Sequence, residues 1–319
     1  MTFIHSPSVA VIDIGSNSIK ILVACRQDNG ALTALFTKTL DARISAGISQ
    51  AAPRLSEEGI ARGVAAVREL LTDAATYISA KTVLVATSAV RDAANGADFR
   101  QRVHDETGYA IRTLTGDEEA NLIGRGLTCD PALTGLRDFM LFDLGGGSLE
   151  CLSFRDRTIK QAISLQLGCV RLTERCVADP NQPFTAEDRL RVGEVTREQL
   201  AKSGFRFAPA TAPTAIGTGG TLTTARAILA TREGKTFDAM ASTVTVPQLR
   251  ELLDLIGAVD LETRRKIPGV PAGRADVMPA ALATFIALAE FGGITAFHNS
   301  LYNLRWGVAD ETLQGVARS

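Results

Sequence analysis

The amino-acid sequence predicts an α/β protein made of two related lobes. Two glycine-rich segments, Asp13–Lys20 and Asp143–Glu150, each follow an apolar run. Apolar runs beside glycines are typical of two buried strands joined by a tight turn. The segments start 143 − 13 = 130 residues apart, and 319 residues correspond to about two domains. We therefore expect two lobes, each presenting one such hairpin to a shared cleft.

Both hairpins fit the pattern Asp-[Ile/Leu]-Gly-x-x-Ser-[Ile/Leu]-x. Glycines free the turn of Cβ atoms, so backbone N–H groups can converge on an anion. In the second hairpin, pairing of Leu144 with Leu149 would place Asp143 opposite Glu150, where like charges repel. A divalent cation on phosphate would offset that repulsion. The alternative is a surface hairpin with two solvated acids. In the first hairpin Lys20 takes the place of Glu150.

The rest of the chain alternates strand and helix patterns. Residues 8–40 read as three antiparallel strands, and Ser56 reads as the N-cap of a helix. A buried strand at 82–86 ends in a polar loop that carries Arg91. Alternating strands and helices after an antiparallel start predict a mixed sheet covered by helices.

A third glycine-rich turn lies within Thr214–Thr224, between a predicted strand and a helix. The N-terminus of a helix behind glycines offers N–H groups to an anion. The alternative is a tight strand-to-helix turn without a ligand.

Three acids, Asp117, Glu118 and Glu119, open the helix that starts near Gly116. Acids in a first turn complement the helix dipole, which is the structural explanation for any one of them. Three acids exceed what capping requires. Neighbouring residues point about 100° apart on a helix, so Glu118 and Glu119 cannot share one role.

The amino-acid composition of the chain argues against several classes of function. The net charge of −1, from 34 basic and 35 acidic residues, argues against a general nucleic-acid binder. The five cysteines form no C-x-x-C pair, which argues against a structural metal and fits reduced cysteines in the cytoplasm. No apolar run reaches the ~20 residues of a membrane span, and the N-terminus has no signal-peptide pattern. We expect a cytoplasmic protein that binds neither nucleic acid nor membrane.

Residues 125–137 contain Gly, Thr and Pro and are the predicted connection between the lobes. The expected lobes are 1–125 and 126–303, with a C-terminal helix at 304–319 that packs back on the first lobe.

Eight segments together resemble the exopolyphosphatase/guanosine pentaphosphate phosphohydrolase (Ppx/GppA) family, through most of the chain and in the family's order. They are Val11-Ile-Asp-Ile-Gly-Ser-Asn-Ser18, Thr87-x-x-Val-Arg91, Gly116-x-Glu-Glu-Ala120, Asp143-Leu-Gly-Gly-Gly-Ser148 with Glu150, Leu167-Gly-x-Val-Arg-Leu-Thr-Glu174, Gly217-Thr-Gly-Gly-Thr221, Arg274-Ala-Asp276 and Leu304-Arg-x-Gly307.

The resemblance implies two RNase-H-like lobes of the actin and sugar-kinase type around a cleft. It implies Mg²⁺-dependent removal of a terminal phosphate from polyphosphate or from guanosine pentaphosphate, and a homodimer. In this family the second glutamate of the pair is the general base, which corresponds to Glu119. The arginine of a mobile loop corresponds to Arg91, a clamp on phosphate. The metal-binding acids correspond to Asp143 and Glu150.

The predicted phosphate-binding residues lie in the three glycine-rich turns. They are Gly15, Ser16, Asn17, Ser18, Gly145, Gly146, Gly147, Ser148, Gly219, Gly220 and Thr221.

The chain departs from the family pattern in three places, one of them at Ala280 or Ala281, where relatives usually carry a glycine after the Arg-Ala-Asp segment. Trp306 stands where many relatives carry glutamate, and an Arg-Leu-Gly-like stretch is reduced to Arg43–Gly47. We expect these departures to lie outside the chemical centre. Two other functions remain open: an actin-type kinase or ATPase, whose loops would hold ATP, and a non-enzymatic binder of guanosine tetraphosphate.

Overall fold

The computed structural model describes residues 7–77, 81–207 and 214–316. It divides into two compact units: the first runs to Gly135 and takes in the chain from Tyr302 onwards, and the second is Leu136–Leu301. The division after Gly135 falls within the predicted connection 125–137. The helix before it continues to Thr128, past the predicted end of the first lobe at residue 125. Residues 1–6 of the predicted first lobe and 317–319 of the predicted C-terminal helix lie outside the described residues.

In chain order the described residues form strands and helices with these bounds: β1 Ser8–Ile14, β2 Ile19–Arg26, β3 Leu32–Leu40, α1 Glu57–Ala74, β4 Lys81–Ala86, α2 Ser88–Asp92, α3 Gly96–Thr107, β5 Ile111–Thr113, α4 Gly116–Thr128, β6 Phe139–Leu144, β7 Leu149–Arg155, β8 Thr158–Leu165, α5 Cys169–Cys176, α6 Ala186–Lys202, β9 Thr214–Thr218, α7 Gly220–Arg232, β10 Thr243–Thr245, α8 Val246–Gly257, α9 Leu261–Arg264, α10 Met278–Gly292, β11 Ala296–Asn299 and α11 Leu304–Val316. Short 3₁₀ helices lie at Pro131–Leu133 and Ala272–Arg274.

The sheet of the first unit has the strand order β3-β2-β1-β4-β5. β2 runs antiparallel to β1 and β3, whereas β4 lies parallel to both β1 and β5. Strand β1 is buried along almost its whole length, so its run of apolar residues forms the centre of the core. The helix predicted after Ser56 is α1, and the Ser56 side chain accepts a hydrogen bond from the N–H of Gly59.

The sheet of the second unit repeats this arrangement. Its order is β8-β7-β6-β9-β11-β10, with β6 and β7 antiparallel and β9 parallel to β6 and β11. Strand β10 adds an antiparallel edge. Leu144 pairs with Leu149 as Ile14 pairs with Ile19, so the two hairpins have the same register. The prediction of an α/β protein built from two related units is confirmed. No helix in the described part of the chain is both long enough and apolar enough to cross a membrane.

Helices α4 and α11 of the first unit cross at two glycines. A Cβ atom at Gly307 would lie 1.8 Å from the backbone oxygen of Leu122, and one at Gly126 would lie 2.0 Å from that of Asn303. The helix backbones therefore meet without side chains between them. Beside the crossing, Trp306 stacks on Tyr302 with 4.1 Å between ring centroids.

Replacement of Gly307 by alanine is expected to lower the free energy of unfolding of the first unit by about 1–3 kcal/mol, because the added methyl group forces the helices apart. Gly315 in the same helix is a matched control, because a Cβ there would have no neighbour within 4 Å. G315A should leave stability unchanged or raise it by up to ~1 kcal/mol. Urea unfolding followed by the fluorescence of Trp306, the single tryptophan, compares the two variants. Equal shifts for both would contradict the packing argument.

Candidate functional site

The first glycine loop, Gly15–Ser18, joins β1 to β2. The N–H of Gly15 donates to the oxygen of Ser18 across 3.2 Å and closes the turn. At the base of the loop, Asp13 and Lys20 are paired in the register of the two strands. Burial raises the pKa of the Asp13 carboxyl above its usual range, although the charges of Lys20 and Arg305 act to lower it.

The segment Ala42–Ser45 packs against this loop. The N–H of Arg43 donates to the oxygen of Asn17 across 2.9 Å, and its guanidinium donates to Oδ1 of Asn17. Ser45 Oγ donates to the oxygen of Ser16 across 3.1 Å. Arg43 adopts φ +39°, a backbone angle that is uncommon without glycine. The shortened family stretch thus lies against a predicted phosphate loop, and its expected place outside the chemical centre stays a prediction.

Arg91 and Glu119 are brought together in the first unit. Arg91 Nη1 lies 2.8 Å from Glu119 Oε2 and donates to the oxygen of Leu114 across 3.1 Å. Glu119 is only 6% exposed. The prediction that Arg91 lies on a loop is wrong: it lies in helix α2, one turn after Thr87, whose N–H donates to the oxygen of Ile14. Arg91 therefore holds the side chain of Glu119.

The first glycine loop is connected to this ion pair. Ser16 Oγ and Ser88 Oγ lie 3.2 Å apart, so the loop is hydrogen-bonded to the helix that carries Arg91. The first loop, Arg91 and Glu119 consequently form one hydrogen-bonded group within the first unit.

The acids of α4 separate into the two roles that their spacing predicts. Thr115 and Glu118 form a capping box, and Glu118 also pairs with Arg112 at 3.1 Å. Glu119 points elsewhere and is buried against Arg91. Capping thus accounts for Glu118 and leaves Glu119 unexplained by helix stability.

The second glycine loop, Gly145–Ser148, joins β6 to β7 and is closed by a hydrogen bond of 3.0 Å from the N–H of Gly145 to the oxygen of Ser148. Helix α5 binds the carbonyl side of the loop. The N–H groups of Cys169 and Val170 donate to the oxygens of Gly145 and Gly146, and Arg171 Nε donates to the oxygen of Gly147. Since α5 occupies these carbonyl oxygens, an anion would meet the N–H side of the loop.

Asp143 and Glu150 face each other across β6 and β7, as the sequence predicts. Glu150 is 1% exposed, and Ser164 Oγ on β8 donates to its Oε1 across 2.8 Å. Within the described ranges no group of three or more His, Cys, Asp or Glu side chains could hold a metal ion. Two carboxylates suffice for Mg²⁺, which usually takes one or two and completes its shell with water and substrate phosphates. This donor set therefore fits Mg²⁺.

The third glycine loop, Thr218–Thr221, leads from β9 into α7 and lies between two charged side chains. Gly219 has φ +87°, and a Cβ there would lie 2.5 Å from Asp143 Oδ1. A Cβ at Gly220 would lie 2.5 Å from Arg274 Nη1. The two glycines make room for a carboxylate on one side and a guanidinium on the other.

Polar groups at the third loop are shielded from water and lack hydrogen-bond partners within the described residues. They are Oγ1 of Thr218, Oγ1 of Thr221, and Nε and Nη2 of Arg274. A buried polar group left without a partner destabilises a protein by about 1–3 kcal/mol. Two such hydroxyl groups on one loop, with two such nitrogen atoms of a cationic side chain beside it, are the arrangement expected for an anion-binding site.

The predicted site residues lie on the three glycine loops, in the ion pair of Arg91 with Glu119, or, for Asp143 and Glu150, opposite each other on β6 and β7. The first unit holds Gly15–Ser18, Arg91 and Glu119, and the second holds the other two loops with Asp143 and Glu150. Six residues that contact these groups have no role predicted from the sequence: Arg43, Ser45, Ser164, Arg171, Thr218 and Arg274. Their only signal was a place within or beside the family segments.

Comparisons with known protein families, relatives and solved structures all indicate the same family. Residues 23–315 match the Ppx/GppA phosphatase family. Exopolyphosphatase 2 of Mycobacterium tuberculosis is 32% identical, over 94% of this chain and 97% of the relative. The guanosine-5'-triphosphate,3'-diphosphate pyrophosphatase of Aeromonas hydrophila is 29% identical over 91% of this chain, which matches 56% of that longer relative. The Ppx/GppA structure from Aquifex aeolicus aligns with a TM-score of 0.76 at 26% identity, over 96% of this chain and 99% of that one. The chain belongs to the Ppx/GppA phosphatase family.

Proposed function

We propose that the chain is a magnesium-dependent exopolyphosphatase that hydrolyses the terminal phosphoanhydride bond of inorganic polyphosphate. Its family and its relatives make it a phosphoanhydride hydrolase. The observation that carries the proposal is the third glycine loop, where Gly219 and Gly220 lie between Asp143 and Arg274. The preference for polyphosphate is supported by the exopolyphosphatase relative, which the chain matches over almost its whole length.

Asp143 and Glu150 would hold the Mg²⁺ ion. The ion would supply positive charge that offsets the charge of the substrate phosphates. The hydrogen bond from Ser164 fixes Oε1 of Glu150, and the register of β6 and β7 fixes the spacing of the two acids.

The glycine loops and Arg274 would bind phosphate groups. Backbone N–H groups suit a phosphate oxygen, and the guanidinium of Arg274 offers a planar fork for two of them. The hydroxyl groups of Thr218 and Thr221 would gain the partners that they lack among the described residues. An oxyanion that arrives here satisfies donors that are already in place.

Glu119 would act as the general base. The oxygen of water attacks the terminal phosphorus, the bridging P–O bond breaks, and Glu119 takes the proton from water. Arg91 holds Oε2 of Glu119, so we assign it to orienting the base and not to clamping phosphate.

A second candidate is hydrolysis of guanosine pentaphosphate, which the Aeromonas hydrophila relative favours. The bond broken and the groups required are the same, so the two candidates differ only in what precedes the phosphoanhydride. The homodimer and the cytoplasmic location remain predictions, to be checked by light scattering and by cell fractionation.

The test is release of orthophosphate by the purified chain from polyphosphate and, in parallel, from guanosine pentaphosphate. We expect faster release from polyphosphate, loss of the activity on chelation, and recovery with Mg²⁺. Faster release from the nucleotide would favour the second candidate. No release from either, with ADP formed from ATP and a sugar acceptor, would support a kinase. Tight binding of guanosine tetraphosphate without any turnover would support a non-enzymatic binder.

A further inference from the structure

Arg264 is the largest side chain of the described residues that is fully buried, with 1% exposure. Among the residues that the structure describes, it donates hydrogen bonds to five backbone carbonyl groups and to no carboxylate. Burial lowers its pKa, while the nearby Asp276 and Asp260 act to raise it. A guanidinium carries five N–H donors in a rigid plane, so five carbonyl groups match its hydrogen-bonding capacity.

The five carbonyl groups belong to three separate segments of the second unit. Two lie at the end of α8: that of Ile256 (2.8 Å) is in its last turn, and that of Val259 (2.9 Å) follows the helix. Two lie before α6, at Pro180 (3.4 Å) and Gln182 (3.3 Å). The fifth, at 3.2 Å, belongs to Ala275. Arg264 therefore ties the residue after Arg274 to two other parts of the unit.

Arg274 depends on its backbone for its position. Its Nε and Nη2 have no hydrogen-bond partner among the described residues, so these atoms do not fix the guanidinium. Its backbone is held by a hydrogen bond of 2.9 Å to the oxygen of Pro271 and, one residue later, by the contact of Arg264 with Ala275. Gly220 lies directly beneath the guanidinium.

We propose that Arg264 is a positioning residue: it holds the backbone at Ala275 and thereby sets Arg274 over the third glycine loop. The inference rests on the proposed function, in which Arg274 binds a substrate phosphate. A lysine at position 264 would keep the charge but could not reach three segments, because its donors sit on one nitrogen atom. The substrate-binding groups themselves would remain unchanged.

The test is a double-mutant cycle of Arg264→Lys and Arg274→Ala. It is read as the KM for polyphosphate, and kcat is expressed per folded molecule. We expect R264K alone to raise KM about tenfold and to change kcat less, because residues that act as a unit couple strongly. In the R274A background R264K should change KM by less than about twofold. A residue that only stabilises the fold would lower the unfolding midpoint in both backgrounds without this difference in KM.

Arg265→Lys is the matched control, because Arg265 is half exposed and pairs with Glu262 at the surface. It should leave KM within about twofold. If R264K does not fold, Ala275→Gly loosens the same backbone while keeping Arg264, and it should raise KM only when Arg274 is present. Equal factors in both backgrounds, or an unchanged KM, would overturn the inference.

The two proposals fail in different ways. If the wild-type chain binds polyphosphate but releases no orthophosphate when Mg²⁺ is supplied, the proposed function fails and the cycle is read from the dissociation constant instead. If it neither binds nor hydrolyses polyphosphate, both proposals are overturned. If it is active and the cycle is additive, only the positioning role of Arg264 is lost.

Discussion

Glutamine at position 119 is expected to lower kcat for release of orthophosphate at least a hundredfold. The amide has nearly the shape of the carboxylate, but it cannot accept the proton of the attacking water, and a general base contributes ~10²–10⁴-fold. Because Arg91 Nη1 can still donate to the amide oxygen, the helix should stay in place and KM should change little. Steady-state kinetics with polyphosphate and Mg²⁺ measure both constants.

The matched control is Asp117→Asn, which removes an exposed acid from the same first turn of α4. Surface substitutions usually change free energies by less than ~0.5 kcal/mol, so kcat should stay within about twofold. A near-normal rate for E119Q would remove Glu119 from the role of base. A comparable loss in D117N would assign the effect to the charge of the turn and not to Glu119.

Alanine at position 168 is expected to lower kcat/KM about a hundredfold, the effect of misplacing reacting groups by roughly 1 Å. A Cβ at Gly168 would lie 2.2–2.3 Å from backbone atoms of Gly146 and Gly147, which no side-chain rotation can relieve. The second glycine loop would have to move away from α5 and lose the hydrogen bonds to its carbonyl oxygens.

Gly135→Ala is the control for this substitution, because a Cβ there would meet nothing within 4 Å. G135A should retain its activity within about twofold. Circular dichroism and unfolding midpoints establish that both variants are folded before their kinetics are compared. Full activity in G168A would show that the contact between Gly168 and the loop does not shape the site.

The sequence predicts the hairpins well because their pattern is local. The strands on both sides are almost continuously buried, so the short glycine turn between them determines the register, and the pairing of Asp143 with Glu150 follows from a few neighbouring residues. The same holds for the first turn of α4, where helical spacing separates the capping Glu118 from the buried Glu119. In both cases the informative residues are close together in the sequence.

The remaining features depend on contacts between distant residues. The hydrogen bonds of Arg264 end on backbone carbonyl groups, and every residue type supplies one, so no sequence pattern marks them. The need for glycine at 168 and 307 arises from backbone atoms that are close only in space. The sequence does not predict the helix at Arg91, because the five residues of α2 are too few to show a helical period.

The first unit is discontinuous, since its last helix is encoded after the whole of the second unit. A ribosome that has reached residue 301 has already made α4 with Glu119, yet the glycine of α11 against which α4 packs has still to be translated. The packing of the helix that bears the proposed base must therefore wait for the final stretch of synthesis.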